Sequence, residues 1–297
     1  MKKVLGFLSI LWPAVVALLI PVYVGFVSII IFLQSVFGAY LLMTPSRDRR
    51  FQEMLNLLGY SGNRLIDYTE SLTDVYTALI PILWIFVFYF WYRSLLKKDS
   101  LLKGEGKASI KLFTLQNLFF LALIALGCQI VIGGGMEIIL PYFKKIMEDY
   151  NRLIEQFMYG NAIVVFITTV VLAPFSEELM FRGVIMKKAQ KVVPAGAAIV
   201  IQALLFSLFH MNVVQSLYTL PAGLVLGYVA YKFKSIKASI VLHMMFNALS
   251  YVMVMPQGMM LLIGYTVFGG VILTSGLWWV SKLEAREQNK KRLVNEG

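Results

Sequence analysis

Residues 160–185 read GNAIVVFITTVVLAPFSEELMFRGVI. The run is long enough for a helix that crosses a bilayer, which needs about 20 mostly apolar residues. Its middle nevertheless carries Glu177, Glu178 and Arg182. An Asp, Lys or Arg at the centre of a spanning helix costs about 2.5–3.5 kcal/mol on translocon scales, so ionisable groups at that depth mark function by default. The stretch decides two things together. The chain is built in a membrane, and its chemistry is to be sought beside these side chains.

Working outward, apolar blocks recur at 4–43, 76–92, 112–133, 194–212, 215–231, 238–255 and 257–280. The whole chain is 59% hydrophobic and 14% charged, against roughly 45–50% and about 25% in soluble domains. The pattern predicts an all-α fold, a polytopic membrane helix bundle of about eight transmembrane helices. The first block, with kinks expected at Pro13 and Pro21, can cross once or as a tight pair. One crossing is expected, because only Pro21 and Gly25 offer turn chemistry between its halves. Met1-Lys2-Lys3 before it resembles a signal-peptide flank, but the apolar run is far longer than a secretory core and is read as a retained anchor.

The net charge of +11 is a matter of topology. With the N-terminus inside, the inside loops sum to +14 and the outside loops to −2. Lys and Arg concentrate on one side, as the positive-inside rule requires of cytoplasmic loops. This argues against nucleic acid as a partner, leaves the lipid bilayer as one, and puts both termini in the cytoplasm.

Four regions follow. Residues 1–159 hold the N-terminal spans and two polar stretches, 45–75 and 137–158, whose spacing predicts amphipathic helices at the outer interface. Residues 160–255 hold the candidate catalytic core, 256–281 the last span, and 282–297 a charged cytoplasmic tail. The single cysteine, Cys128, lies in an apolar run and reads as a packed core residue, which excludes an intramolecular disulfide.

Within the quoted stretch, Pro174 followed by Ser176 suits a helix start with Ser176 as N-cap and both glutamates in the first turn. Glu178 and Arg182 then fall four apart on one face, the geometry of an ion pair, while Glu177 points about 100° away. One alternative is that all three simply form a buried ion pair tying helices together. The chain's two histidines weigh against it, since both fall in expected spans. His210 closes Phe206-Ser207-Leu208-Phe209-His210, where Phe206 reads as a packing residue. His243 opens His243-Met244-Met245-Phe246-Asn247, placing an imidazole and an amide on one face. Together they supply a general base in Glu177, a polarising imidazole in His210 and oxyanion donors in His243 and Asn247, the set that water-driven amide hydrolysis needs.

Glu-Glu-x-x-x-Arg at 177–182, Phe-x-x-x-His at 206–210 and His-x-x-x-Asn at 243–247 resemble, in type and order, the three motifs of the CPBP intramembrane proteases. That family includes type II CAAX prenyl endopeptidases and bacterial bacteriocin-processing and immunity proteins. The resemblance covers roughly residues 160–250 and implies that Glu177 and His210 activate the hydrolytic water. It further implies that His243 and Asn247 stabilise the tetrahedral intermediate, with Glu178 and Arg182 in support. The cofactor is unknown: two Glu and two His could ligate zinc, and a glutamate–histidine pair can also polarise water unaided. The His-Glu-x-x-His of membrane zinc proteases is absent from the sequence.

The implied partner is a peptide or protein substrate in or at the membrane: a prenylated protein, a leader peptide or a membrane-bound regulator. Two other classes share these residues, a non-catalytic immunity or partner-binding protein and an ion-coupled transporter, although no internal repeat marks the latter. Straight helices would set the three motifs at different depths, His210 about 24 Å from Pro194 but His243 about 9 Å from Lys237 at 1.5 Å per residue. Pro174, Pro194 and Gly196 are the expected places to lose helix length.

Overall fold

The computed structural model describes residues 6, 8–23, 62–98, 113–158, 161–283 and 285–286. Among these residues there is no strand, and the elements are helices in an all-α arrangement. We number them α1 (Leu8–Tyr23), α2 (Gly62–Lys98), α3 (Leu115–Ile139) and α4 (Lys144–Met158). Then follow α5 (Ala162–Ala189), α6 (Ala195–Phe209), α7 (Val213–Phe233), α8 (Ile236–Ser250) and α9 (Met259–Ser281).

Five of them hold a stretch long and apolar enough to cross a membrane: Thr77–Lys97 in α2, Leu115–Tyr142, α5, α7 and α9. The other apolar helices, α1, α6 and α8, have fewer than 18 residues. At 1.5 Å per residue, the 15 residues of α6 and of α8 reach about 22 Å, short of a hydrocarbon core of about 30 Å. The chain is thus an integral, multi-pass membrane protein, with five helices of spanning length among the described residues; eight crossings were expected. Residues 24–43, which decide whether the first block crosses twice, lie outside the described residues.

Two local expectations are corrected. The stretch 62–75 is no separate interfacial helix but runs straight into the span as one helix, α2; the rest of 45–75 lies outside the described residues. Nor does a helix begin at Pro174 with Ser176 as its cap. It begins at Ala162, where the Asn161 side chain accepts from the N–H groups of Ile163 and Val164, and Ser176 Oγ donates inside the helix to the Ala173 carbonyl at 2.8 Å. Asn161 satisfies the orphan donors first, so the start lies upstream.

Short capped turns fold α6, α7 and α8 against one another. His210-Met211-Asn212 joins α6 to α7, with Met211 at φ 50° and Asn212 accepting from Gln215 N–H. Lys234 at φ 51° ends α7, and Ser235 caps α8 by accepting from Lys237 N–H. Connections this short make antiparallel neighbours. Ser207 and Ser216 then exchange hydroxyl-to-carbonyl hydrogen bonds at 2.8 and 2.9 Å across α6 and α7. Gly223 and Gly227 let the same pair approach closely: a Cβ at the first would press on Phe206 and Ala203, and at the second on the Gln202 amide. Small residues four apart are the usual device for close helix contact in a membrane.

Prolines set the remaining contacts. A proline has no N–H, so the carbonyl four residues earlier loses its helical donor. Pro13 strands Ser9, whose carbonyl receives Lys188 Nζ from α5 at 2.9 Å. Pro21 strands Ala17, whose carbonyl receives Trp84 Nε1 from α2 at 3.2 Å. Helix α1 is therefore held to its neighbours at the two carbonyls that its own prolines free.

Candidate active site

The glutamates sit on α5 between two segments wound in the wider i→i+5 register, Thr168–Leu172 and Leu179–Ile185. Such π segments are rare and concentrate at functional sites. In the first, Ala173 N–H bonds Thr168 O. The next donor in that register would belong to Pro174, which has none. The Thr169 carbonyl is filled from another helix instead, by Asn247 Nδ2 at 2.8 Å. The Thr169 hydroxyl adds a 2.6 Å hydrogen bond with the Tyr251 hydroxyl. The expected loss of helix length at Pro174 is thus corrected: the helix continues through the proline and changes register. Pro194, by contrast, does precede the first residue of α6.

Four residues after Glu178, Arg182 donates from Nη1 to Glu178 Oε1 at 2.7 Å, with both side chains fully buried. Arg182 Nη2 donates to the Gly223 carbonyl at 3.1 Å, which also accepts from Gln202 Nε2 at 2.8 Å. Its guanidinium carbon lies 4.6 Å from the centre of the Phe206 ring. The same Glu178 Oε1 lies 2.9 Å from His243 Nδ1. On the opposite edge of that imidazole, Nε2 lies 3.8 Å from Glu177 Oε2. Glu177 keeps 15% of its side chain exposed where Glu178 keeps none. The sequence divided the two glutamates between separate faces; the fold brings both to one histidine.

Protonation follows from these partners. A carboxylate held by Arg182 can only accept, so His243 carries its proton on Nδ1 and turns Nε2 toward Glu177. His210 Nδ1 lies 2.8 Å from the Phe206 carbonyl, which likewise can only accept. Its Nε2 is therefore the nitrogen with a free lone pair.

Glu177, Glu178, Arg182 and His243 form one cluster. His210 joins it through Phe206, whose ring is perpendicular to both imidazoles, with centroids 5.0 Å from His210 and 5.9 Å from His243. Asn247 stands one turn beyond His243 on α8, engaged with Thr169.

Among the described residues no three His, Cys, Asp or Glu side chains are grouped as ligands, and Glu178 Oε1 is already bound by Arg182 and His243.

Sequence reasoning read Phe206 as a packing residue only, and missed Thr169, Gln202 and Gly223. The signal for Thr169 was present, a proline five residues downstream. Gly223 and Gln202 carried none, since a backbone carbonyl and a neutral amide in an apolar run look like filler.

Residues 159–249 match the family model for Rce1-like proteins, described as type II CAAX prenyl endopeptidases. The match spans α5 to α8 and supports the resemblance to CPBP-type CAAX proteases drawn from the three motifs. Neither a search of curated proteins nor one of solved structures gives a match.

Proposed function

We propose that this chain, of the CAAX-type protease family through residues 159–249, hydrolyses a peptide bond in a membrane-associated or lipidated substrate with water activated by Glu177. The observation that carries the reading is His243 between two adjacent glutamates, 2.9 Å from Glu178 and 3.8 Å from Glu177.

Charge accounting supports it. Arg182 offsets the fully buried Glu178 at 2.7 Å, which leaves Glu177, 15% exposed beside His243, as the carboxylate without a cation of its own. Buried charges are tolerated when paired and hydrogen-bonded in this way. With Nδ1–H committed to Glu178, His243 turns its Nε2 edge to the developing oxyanion and stabilises it by donating a proton held there during the reaction. Asn247 has a second amide hydrogen beyond the one given to Thr169, available to the same oxygen. Glu177 takes the proton of the attacking water, with His210 Nε2 accepting the other water hydrogen bond. The water oxygen bonds to the carbonyl carbon, and the oxyanion rests on His243 and Asn247. As the C–N bond breaks, Glu177 returns its proton to the leaving amine. Such a base contributes about 10²–10⁴-fold.

The substrate is a peptide at the membrane, and both chain termini face the cytoplasm. The test is proteolysis of membrane-anchored peptides by purified protein in detergent, wild type against Glu177→Gln. Cleavage by wild type that falls at least about 10²-fold in a folded Glu177→Gln supports the mechanism. Equal cleavage by both removes Glu177 as base, and no cleavage by wild type favours a non-catalytic partner protein.

A further inference from the structure

Phe206 is 2% exposed, the central side chain of the site, and a group without acid–base chemistry of its own. Its ring meets four partners. Arg182 lies over the face at 4.6 Å, His210 and His243 stand perpendicular to it, and Phe181 packs against it with centroids 5.0 Å apart. Its backbone carbonyl accepts from His210 Nδ1 at 2.8 Å. Beneath it, Gly223 has no Cβ, and one added there would press on Phe206 Cδ1 at 3.0 Å. The ring is thus confined from α5, α6, α7 and α8 together. Packing alone would be met by any apolar side chain of this volume. Perpendicular contact with two imidazoles and a face turned to a guanidinium require an aromatic ring, with its negative face and positive edge.

We propose that Phe206 is a positioning residue that sets His210, His243 and Arg182 as one unit, the ring fixing the planes of the two imidazoles and the carbonyl fixing the tautomer of His210. His210 comes from the turn after α6 and His243 from α8, and the two share no hydrogen bond through which one could orient the other. The ring between them is the common reference. Displacing it moves the water-activating and oxyanion-binding groups relative to each other, and a misplacement of about 1 Å costs on the order of 10²-fold in rate. The proposal rests on the hydrolytic reading only for its kinetic part.

The chain has two histidines, so histidine-labelled protein in micelles gives two sets of ring signals and reports each imidazole directly. Phe206→Leu is expected to move the ring signals of both histidines and to lower kcat about 10²-fold with KM little changed. Phe206→Tyr, which keeps the ring, restores both. Phe88→Leu, an equally buried change in the same core, leaves the histidine signals in place. If Phe206→Leu does not fold, Phe206→Met keeps side-chain volume without the ring and carries the same expectation. Unmoved signals from either histidine, equal movement in Phe88→Leu, or Phe206→Tyr behaving as Phe206→Leu would overturn the proposal. The spectroscopic comparison needs no turnover, so inactivity of the wild type removes the hydrolytic reading and leaves the positioning result standing.

Discussion

Asn247 holds the carbonyl of Thr169 at 2.8 Å, at the point where Pro174 has no N–H to offer. Leaving a carbonyl unpaired costs about 1–3 kcal/mol when it is fully buried, and this one is part-buried, which puts the cost near the lower end. Asn247→Leu should therefore destabilise the protein by that amount. In a Pro174→Ala background, the restored N–H answers the carbonyl and most of the cost should vanish. Thermal melting of the four members of this cycle checks it; strictly additive losses would show that the amide and the proline act independently.

The paired acid Glu178 should behave differently from its neighbour. Glu178→Gln strands Arg182 in the interior, and breaking a buried pair costs about 3–5 kcal/mol. Lower abundance and an earlier melt are expected, largely recovered by adding Arg182→Met. Turnover should stay low in the double variant, because His243 Nδ1 has lost its carboxylate. Stability in Glu178→Gln equal to wild type would count against the pair as a structural support.

How much of this was open to a sequence reader depends on what kind of contact is involved. The Glu178–Arg182 pair was legible because it is local: four residues on a helix fix it whatever surrounds them. That His243 would meet both glutamates was not, because it depends on where α8 lies against α5. The register of α5 was hidden for a related reason. Pro174 signals only that a donor is missing, and a helix can end there or continue if another element fills the gap. Continuation needed Asn247, which is remote in sequence. The same ambiguity made residues 62–75 look interfacial, since a polar stretch beside a span reads alike whether the helix bends onto the surface or runs on.

The docking of α1 rests on two donors from other helices. Lys188→Met removes the hydrogen bond to Ser9 and the contact with the Trp91 ring at 5.1 Å. Trp84→Phe removes the one to Ala17. Each should cost about 1–2 kcal/mol, and together they should release α1 before the core melts. Protease sensitivity near Tyr23 against temperature tests this; simultaneous loss of α1 and core would show that no separate step exists.

At the α6–α7 contact, Gly227→Val places atoms where Gln202 Nε2 now lies. Overpacking of this kind costs about 1–3 kcal/mol. It should also weaken the Gln202 bond to Gly223 and so reach Arg182. Gly264→Val, at a position with open space around its Cβ direction, is the control and should melt close to wild type.

The charge distribution predicts a topology. In a Cys128→Ala background, Lys237→Cys beside the α7–α8 turn should react with label from the cytoplasmic side. Gln257→Cys beside the α8–α9 connection should react from the other, as the positive-inside rule requires. Labelling of both from one side would overturn the orientation that the charges predict.

A proline in a membrane helix, met in a sequence, invites description as damage to be tolerated. In α1 each one works instead as half of an address. Pro13 and Pro21 name the carbonyls at which the neighbours attach, and Lys188 and Trp84 are the matching halves, written 175 and 63 positions away. Anyone transplanting α1 into another bundle must carry both halves. A helix moved with its prolines alone arrives with two open acceptors in an oily surrounding, and one moved without them has nothing for its hosts to hold.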